Sequence, residues 1–342
     1  MKLKLTITLM LFALINLHVH SQETKPDSKG TVIGKVFFNY HIDETKDVKQ
    51  SGAFDLQRAY LGYNYVFDDK FSAIVLLDAG KGSAGSDYSV YIKNAKLNYK
   101  ADGWITLSLG ILGLKQFYDQ EKFWGYRYIY KSFTDAYGFG SSADLGFTAT
   151  FKINDKLKMD FLIVNGEGYK KFQDPSGNNR YGANLVYTPG QNWMFKAYYD
   201  TMKGIDVGEV SKETTISNIT LFAGYKITGH FRIGAEYNLM KNGITYKEPA
   251  KGKDLQGLSF YSTYNINEKW NIFGRYDQLF SNKLSGETTD WNYSEDGDTV
   301  IGGVEFKPIK GINTSVNYQF TDFKDSSNNN ASLIYFNLEF YF

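Results

Sequence analysis

Residues 334–342 read IYFNLEFYF. Ile334, Phe336, Leu338, Phe340 and Phe342 fall on one face of an extended chain, and Tyr335, Asn337 and Glu339 on the other, because successive side chains of a strand point to opposite sides. Termini ordinarily fray in water unless something ties them down. A last strand with one apolar face must therefore be paired along its edges and covered on that face. The candidate partner is the first alternating segment, GTVIGKVFFNY at 30–40. If the two meet, the sheet closes on itself and leaves no unpaired backbone edge.

Composition favours strands throughout. The 342 residues include 27 Tyr, 26 Phe and 33 Gly but only 5 Pro. The mean hydropathy of -0.38 excludes a helical membrane bundle but not a barrel, whose lumen face is polar. A formal net charge of +1 excludes a strong electrostatic pull on nucleic acid. With no cysteine there is no disulfide, thiolate metal site or acylated cysteine. The start reads as an export signal over 1–21: Lys2 and Lys4, the short apolar run LTITLMLFALINL, then VHSQ with Val19 and Ser21 before the cut. Removing Lys2 and Lys4 leaves 36 Lys+Arg against 37 Asp+Glu, a net charge of −1. Residues 22–29 then form a short periplasmic stub, and 30–342 a single barrel.

From residue 30 onward one rhythm repeats. Alternating segments occur at 30–40, 53–67, 71–80, 88–100, 104–115, 142–153, 157–169, 180–188, 193–203, 214–228, 231–242, 255–267, 270–280, 298–309, 311–323 and 331–342, sixteen in all. Seven short gaps (DDK, ADG, NDK, PGQN, GH, EK and K) alternate with eight long ones such as HIDETKDVKQSG and SNKLSGETTDWNYSEDG. A soluble sandwich has no reason to sort loop length by parity, whereas an outer-membrane barrel does, with short periplasmic turns and long external loops. The segments approach the ~9–11 residues that a spanning strand needs. Tyr65, Phe67, Tyr99, Trp104, Tyr187, Trp193 and Trp270 sit near segment ends, as an interface girdle requires. The expected fold class is all-β: a transmembrane antiparallel barrel of about 16 strands.

Phase assigns the faces. In DLGFTATFKI, Leu145, Phe147, Ala149, Phe151 and Ile153 oppose Asp144, Thr148, Thr150 and Lys152; FRIGAEYNLM and INTSVNYQF behave alike. Inward candidates are the cations Arg58, Lys96, Lys152, Lys158, Arg180, Lys196, Lys226, Arg232 and Arg275 and the anions Asp144, Asp160, Asp200, Glu236, Asp277, Glu305 and Glu339. Nine against seven implies a weakly selective lumen. LQRAYLGY (56–63) and IKNAKLNY (92–99) share a pattern in which the apolar phase slips at a polar pair, which implies a bulge in each.

The whole of 30–342 resembles the 16-stranded bacterial outer-membrane porins. QEKFWGYRYIYKSF followed by GFGSSADLG, within 116–146, resembles the phosphate-selective porin O/P-like group of Bacteroidota-type porins. Arg58 in LQRAYL resembles that group's Arg-containing early strand, but no dense Lys/Arg ladder accompanies it. The resemblance implies that Phe342 is the aromatic signal read by the barrel-assembly machinery, that the protein sits in the outer-membrane lipid of a Gram-negative cell as a homo-oligomer, usually a trimer, and that small polar solutes or anions pass through it.

It also implies that the third long loop enters the channel. That loop, 116–141, has 26 residues with ten aromatics, and loops so long are usually functional. The expected constriction residues are Asp119, Glu121, Lys122, Trp124, Arg127, Lys131 and Asp135, with charges opposed across the gap and the aromatics packed on Tyr and Gly positions of the wall. An external flap or a subunit contact are the alternatives. Lumen-facing Arg58, Lys96, Lys152, Arg232, Glu236 and Arg275 complete the expected site.

Other motifs carry less. GKGSAG (80–85) matches a glycine-rich nucleotide pattern, but a strand follows where a helix is needed. TTDWNYSEDGD holds Asp290, Glu295, Asp296 and Asp298 at spacings unlike a calcium loop, and reads as a solvated acidic loop. His41 and His230 are placed at opposite ends of the barrel. No cofactor, metal or enzymatic constellation is expected. The competing function is a surface-exposed barrel, adhesive or structural, whose long loops bind a partner.

Overall fold

The protein is described here from a computed structural model, covering residues 29–49, 52–82, 87–173, 177–205 and 213–342. The expected export signal, nearly all of the stub and the second half of GKGSAG lie outside the described residues.

Sixteen strands close into one antiparallel barrel in which each pairs with its sequence neighbours. They are β1 (Lys29–Asp43), β2 (Gly52–Val66), β3 (Phe71–Lys81), β4 (Tyr88–Asp102), β5 (Ile105–Gly113), β6 (Ala143–Lys152), β7 (Leu157–Val164), β8 (Arg180–Tyr187), β9 (Trp193–Ile205), β10 (Glu213–Ile227), β11 (Phe231–Lys241), β14 (Leu255–Asn265), β15 (Trp270–Ser281), β16 (Gly297–Ile309), β17 (Ile312–Phe323) and β18 (Ala331–Tyr341). The remaining two, β12 (Gly243–Thr245) and β13 (Glu248–Pro249), make a small hairpin within one long loop. Connections at one end are two to five residues long, and those at the other six to twenty-nine.

The closing seam answers the question posed by 334–342. β18 pairs with β1 from Lys35↔Tyr341 to Asp43↔Leu333. Gly34 and Phe342 exchange both backbone hydrogen bonds, at 3.1 and 3.0 Å. The Phe342 ring lies over Gly34, where a Cβ would come within 2.3 Å of it. An aromatic covering a glycine on a sheet face restores packing that the glycine lacks.

Polarity is inverted relative to a soluble sheet. Leu145, Ile233, Val316 and Phe336 stand exposed on the outside, while Asp144, Asn238, Asn317 and Asn337 point inward and are buried. Around the short-turn end runs an aromatic band. Phe71 stacks on Tyr99 at 4.8 Å, Trp193 meets Tyr225 at 4.6 Å, and Trp270 meets Phe306 at 4.4 Å.

Both expected bulges are present. Phe37 pairs with Arg58 but Phe38 with Leu56, leaving Gln57 extra. Leu76 pairs with Asn94 but Leu77 with Ile92, leaving Lys93 extra. The segment 157–169 is shorter than its alternation predicts, because β7 ends at Val164. There Gly166 (φ 112°) and Gly168 (φ 81°) adopt left-handed backbone that turns the chain inward. The acidic loop is also not simply solvated: Asp296 is fully buried, accepting from Ser281 N (2.9 Å), Ser281 Oγ (2.7 Å) and Asn292 Nδ2 (3.0 Å).

Candidate functional site

The 114–142 connection turns into the barrel. It carries a helix, Lys115–Trp124, and a single helical turn, Phe133–Ala136, whereas the sequence offered no regular element there. Gly125 caps the longer helix in the left-handed region (φ 75°), donating to Glu121 O. Trp124, Phe133 and Phe139 are at most 1% exposed inside this one chain. The external-flap and subunit-contact readings therefore fail for these aromatics; Tyr118, half exposed, is the exception.

The wall is shaped to receive them. Gly224 on β10 lies under Phe123, and Gly257 on β14 lies under Phe133; an added Cβ would approach those rings to 2.6 and 1.9 Å. Phe123, Trp124 and Tyr126 then pack with Phe222, Tyr261 and Phe273. Polar ties follow the same route. Lys196 Nζ on β9 donates to Lys115 O (2.5 Å), Gln116 O (2.9 Å) and Gln120 Oε1 (2.7 Å), and lies 3.5 Å from Asp119. Tyr261 hydroxyl donates to Gln120 O (3.1 Å), Arg232 to Trp124 O (2.7 Å), Arg275 to Lys131 O (2.7 Å) and Asn337 to Tyr128 O (3.2 Å). Tyr128 hydroxyl returns a bond to Glu305 (3.0 Å).

This path corrects the expected lining. Arg232, Glu236 and Arg275 face inward, but the loop covers them. Glu236 and Arg275 are buried, the latter bidentate to Asp277 at 2.8 and 2.7 Å. Lys152 stands at the short-turn rim, largely in solvent, and pairs with Asp155 at 2.6 Å. Of the six inward residues expected to line the lumen, Arg58 and Lys96 remain on uncovered wall. Within the loop, Trp124 is a packing residue, Asp119 faces Lys196, and Lys122 is exposed.

Partly exposed charged groups remain between the loop and the wall of β1–β4. Arg58, Lys93, Glu121, Arg127 and Asp135 keep 13–24% of their side-chain exposure, which marks the water boundary. On the wall, Arg58 pairs with buried Asp78 (3.1 Å), Lys93 approaches Asp78 at 3.9 Å, and Tyr169 donates to Asp78 at 2.8 Å. Lys93 also contacts Ser142 and lies 4.4 Å over the Tyr169 ring. On the loop, Arg127 bridges Glu121 (3.3 Å) and Asp135 (3.4 Å), and Lys131 is exposed. Three of the charges expected to oppose one another across the gap thus pair along the loop. Burial raises the Glu121 carboxyl above its usual range despite Arg127. Burial acts likewise on Asp135, but Arg127 and Lys131 outweigh it and hold that group below the usual range.

Asp78, Lys93 and Tyr169 were not singled out from sequence. Asp78 ends an apolar run, Lys93 is the bulged residue, and Tyr169 lies beyond a strand that stops early. The phase slip at Lys93 is the one available signal. His41 and His230 lie at opposite ends, as expected. Among the described residues no group of His, Asp and Glu could hold a metal ion, and no helix is long and apolar enough to cross a membrane.

A closed sixteen-strand barrel, apolar outside, polar inside and narrowed by its own loop, defines an outer-membrane channel of the porin class. The chain belongs to the family described as "Putative beta-barrel porin-2, OmpL-like", whose profile matches residues 138–342. The likeness of 116–146 to the phosphate-selective group rests on those residues alone. No curated protein matches in sequence. Solved structures of other outer-membrane proteins share the fold. The outer membrane channel DcaP of Acinetobacter baumannii is 13% identical, with a TM-score of 0.71 over 92% of this chain and 97% of that one. An anion-selective porin from Comamonas acidovorans is 13% identical, with a TM-score of 0.67 over 92% and 100%. A trimer form of OmpT, an outer membrane protein of Vibrio cholerae, is 16% identical, with a TM-score of 0.59 over 92% and 99%.

Proposed function

We propose that this channel passes small polar solutes by passive diffusion, with a weak preference for anions. The path is placed between the loop and the wall of β1–β4, and the observation that carries the reading is the charge around this passage: Arg58, Lys93, Arg127 and Lys131 against Asp78, Glu121 and Asp135, four cations to three carboxylates. A net charge near +1 in a narrow, low-dielectric opening raises the local concentration of anions modestly. The paired Glu121–Arg127–Asp135 triad adds dipoles that polar solutes can follow and apolar ones cannot. An anion-selective porin of the same fold is consistent with this, and the OmpT trimer form supports a trimeric assembly. Reversal potential in a salt gradient tests the reading. The wild type is expected to show a small anion preference, and Lys93→Gln with Lys131→Gln, which takes the passage from +1 to −1, is expected to turn it to cations. A strong cation preference in the wild type contradicts the assignment.

A further inference from the structure

Beneath the loop, on the short-turn side, lies a second feature, apart from the passage. It is a pocket of about 360 Å³, roofed by Gly125 and Tyr126 and walled by residues of β11, the β14–β15 turn, β16 and the β16–β17 turn. A volume of that size is at the small end of ligand sites. Four of its lining residues are cationic, Arg232, Lys269, Lys307 and Lys310, against Glu268 and Glu305.

Not all of that charge is available. Glu305 is already satisfied by Tyr128, by Asn271 (2.6 Å) and by Lys307 (3.2 Å), so Lys307 is largely neutralised. Arg232 spends one Nη on Trp124 O and lies 4.9 Å over the Tyr126 ring. Its Nε is buried and has no hydrogen-bond partner among the described residues. An orphaned donor on a guanidinium is costly unless an acceptor reaches it. Gly125 is the device that keeps this arrangement, since a Cβ there would come within 2.7 Å of the guanidinium. Lys269 and Lys310, on the two turns, have no ion pair among the described residues. The pocket is thus left with an excess of two positive charges, one unsatisfied buried donor, and access from the periplasmic end.

We infer that this pocket is an anion-binding site at the short-turn mouth, taking a small multivalent oxyanion such as a phosphate compound or a di- or tricarboxylate. Arg232 supplies the fixed donor, and Lys269 and Lys310 supply charge from flexible stems. The site is separate from the passage, which Arg58, Lys93 and Lys131 border on the other side of the loop. Calorimetric titration of the detergent-solubilised barrel with inorganic pyrophosphate at low salt tests it. The expected result is saturable binding that weakens as salt rises. Binding is expected to be at least several-fold weaker in Lys269→Gln with Lys310→Gln, and unchanged in Lys93→Gln with Lys131→Gln. The lysines of the first pair sit on solvent-exposed turns, so their loss leaves the barrel folded. No binding by the wild type, wild-type affinity in the turn variant, or loss only in the passage variant would each overturn the proposal.

Discussion

Removing residues 120–138 is expected to raise single-channel conductance several-fold and to admit bulkier solutes. The deletion takes away Phe123, Trp124, Tyr126 and Tyr128, which occupy the lumen with Phe222, Tyr261 and Phe273, and Phe133, which packs with Ile216, Met240, Leu255 and Leu279. The barrel itself should survive. Its strands are held by ladders that the loop does not enter, and the wall groups that bind the loop, among them Lys196, Tyr261, Arg275 and Asn337, are polar side chains that water can satisfy once it enters. Planar-bilayer recording of the deletion beside the wild type reads the effect. Unchanged conductance would mean that the loop does not narrow the path, and the passage described here would then be misplaced.

The second large effect concerns Phe342. We propose, on the strength of the porin resemblance, that this aromatic terminus is recognised during assembly. Phe342→Asp is then expected to cut the amount of barrel in the outer membrane several-fold while leaving the stability of assembled protein nearly unchanged. A charge at the interfacial end of a lipid-facing strand costs only about 0–1 kcal/mol, and the backbone bonds between Gly34 and Phe342 do not depend on the side chain. The lost ring does uncover Gly34, a local packing loss that Phe342→Tyr avoids. Membrane levels measured by fractionation, with Phe342→Tyr as the rescuing variant, separate recognition from packing. Normal levels of the Asp variant in the membrane would dispose of the recognition idea.

How much of this could be read from residues alone follows from what each feature depends on. Strand existence and facing depend on a local period of two, and β6 shows it plainly: Asp144 and Thr148 inward, Leu145 and Phe147 outward. Loop parity is equally local, so the barrel and its two ends were readable. The bulges at Gln57 and Lys93 were readable too, because an extra residue breaks the phase. The course of the long loop is different. Its route from β9 to β18 is set by contacts far apart in sequence, such as Arg275 with Lys131 and Asn337 with Tyr128. Nothing in the alternation says which inward residues it will cover, and so Arg232, Glu236 and Arg275 were expected in a lumen from which the loop screens them. The inward glycines at 224 and 257 are a trace of that cover, legible once the rings above them are known.

Solutes are expected to pass between the loop and the β1–β4 wall, not along the loop-covered wall of β9–β16. Because the chain contains no cysteine, single substitutions report on this without background. Lys93→Cys and Lys131→Cys border the passage, whereas Thr220→Cys and Ser259→Cys sit on covered wall, where the native side chains are fully buried. With a charged methanethiosulfonate reagent applied during bilayer recording, a stepwise fall in current is expected for the first pair and none for the second. Block at Thr220→Cys and Ser259→Cys with no effect at Lys93→Cys and Lys131→Cys would place the path along the covered wall instead.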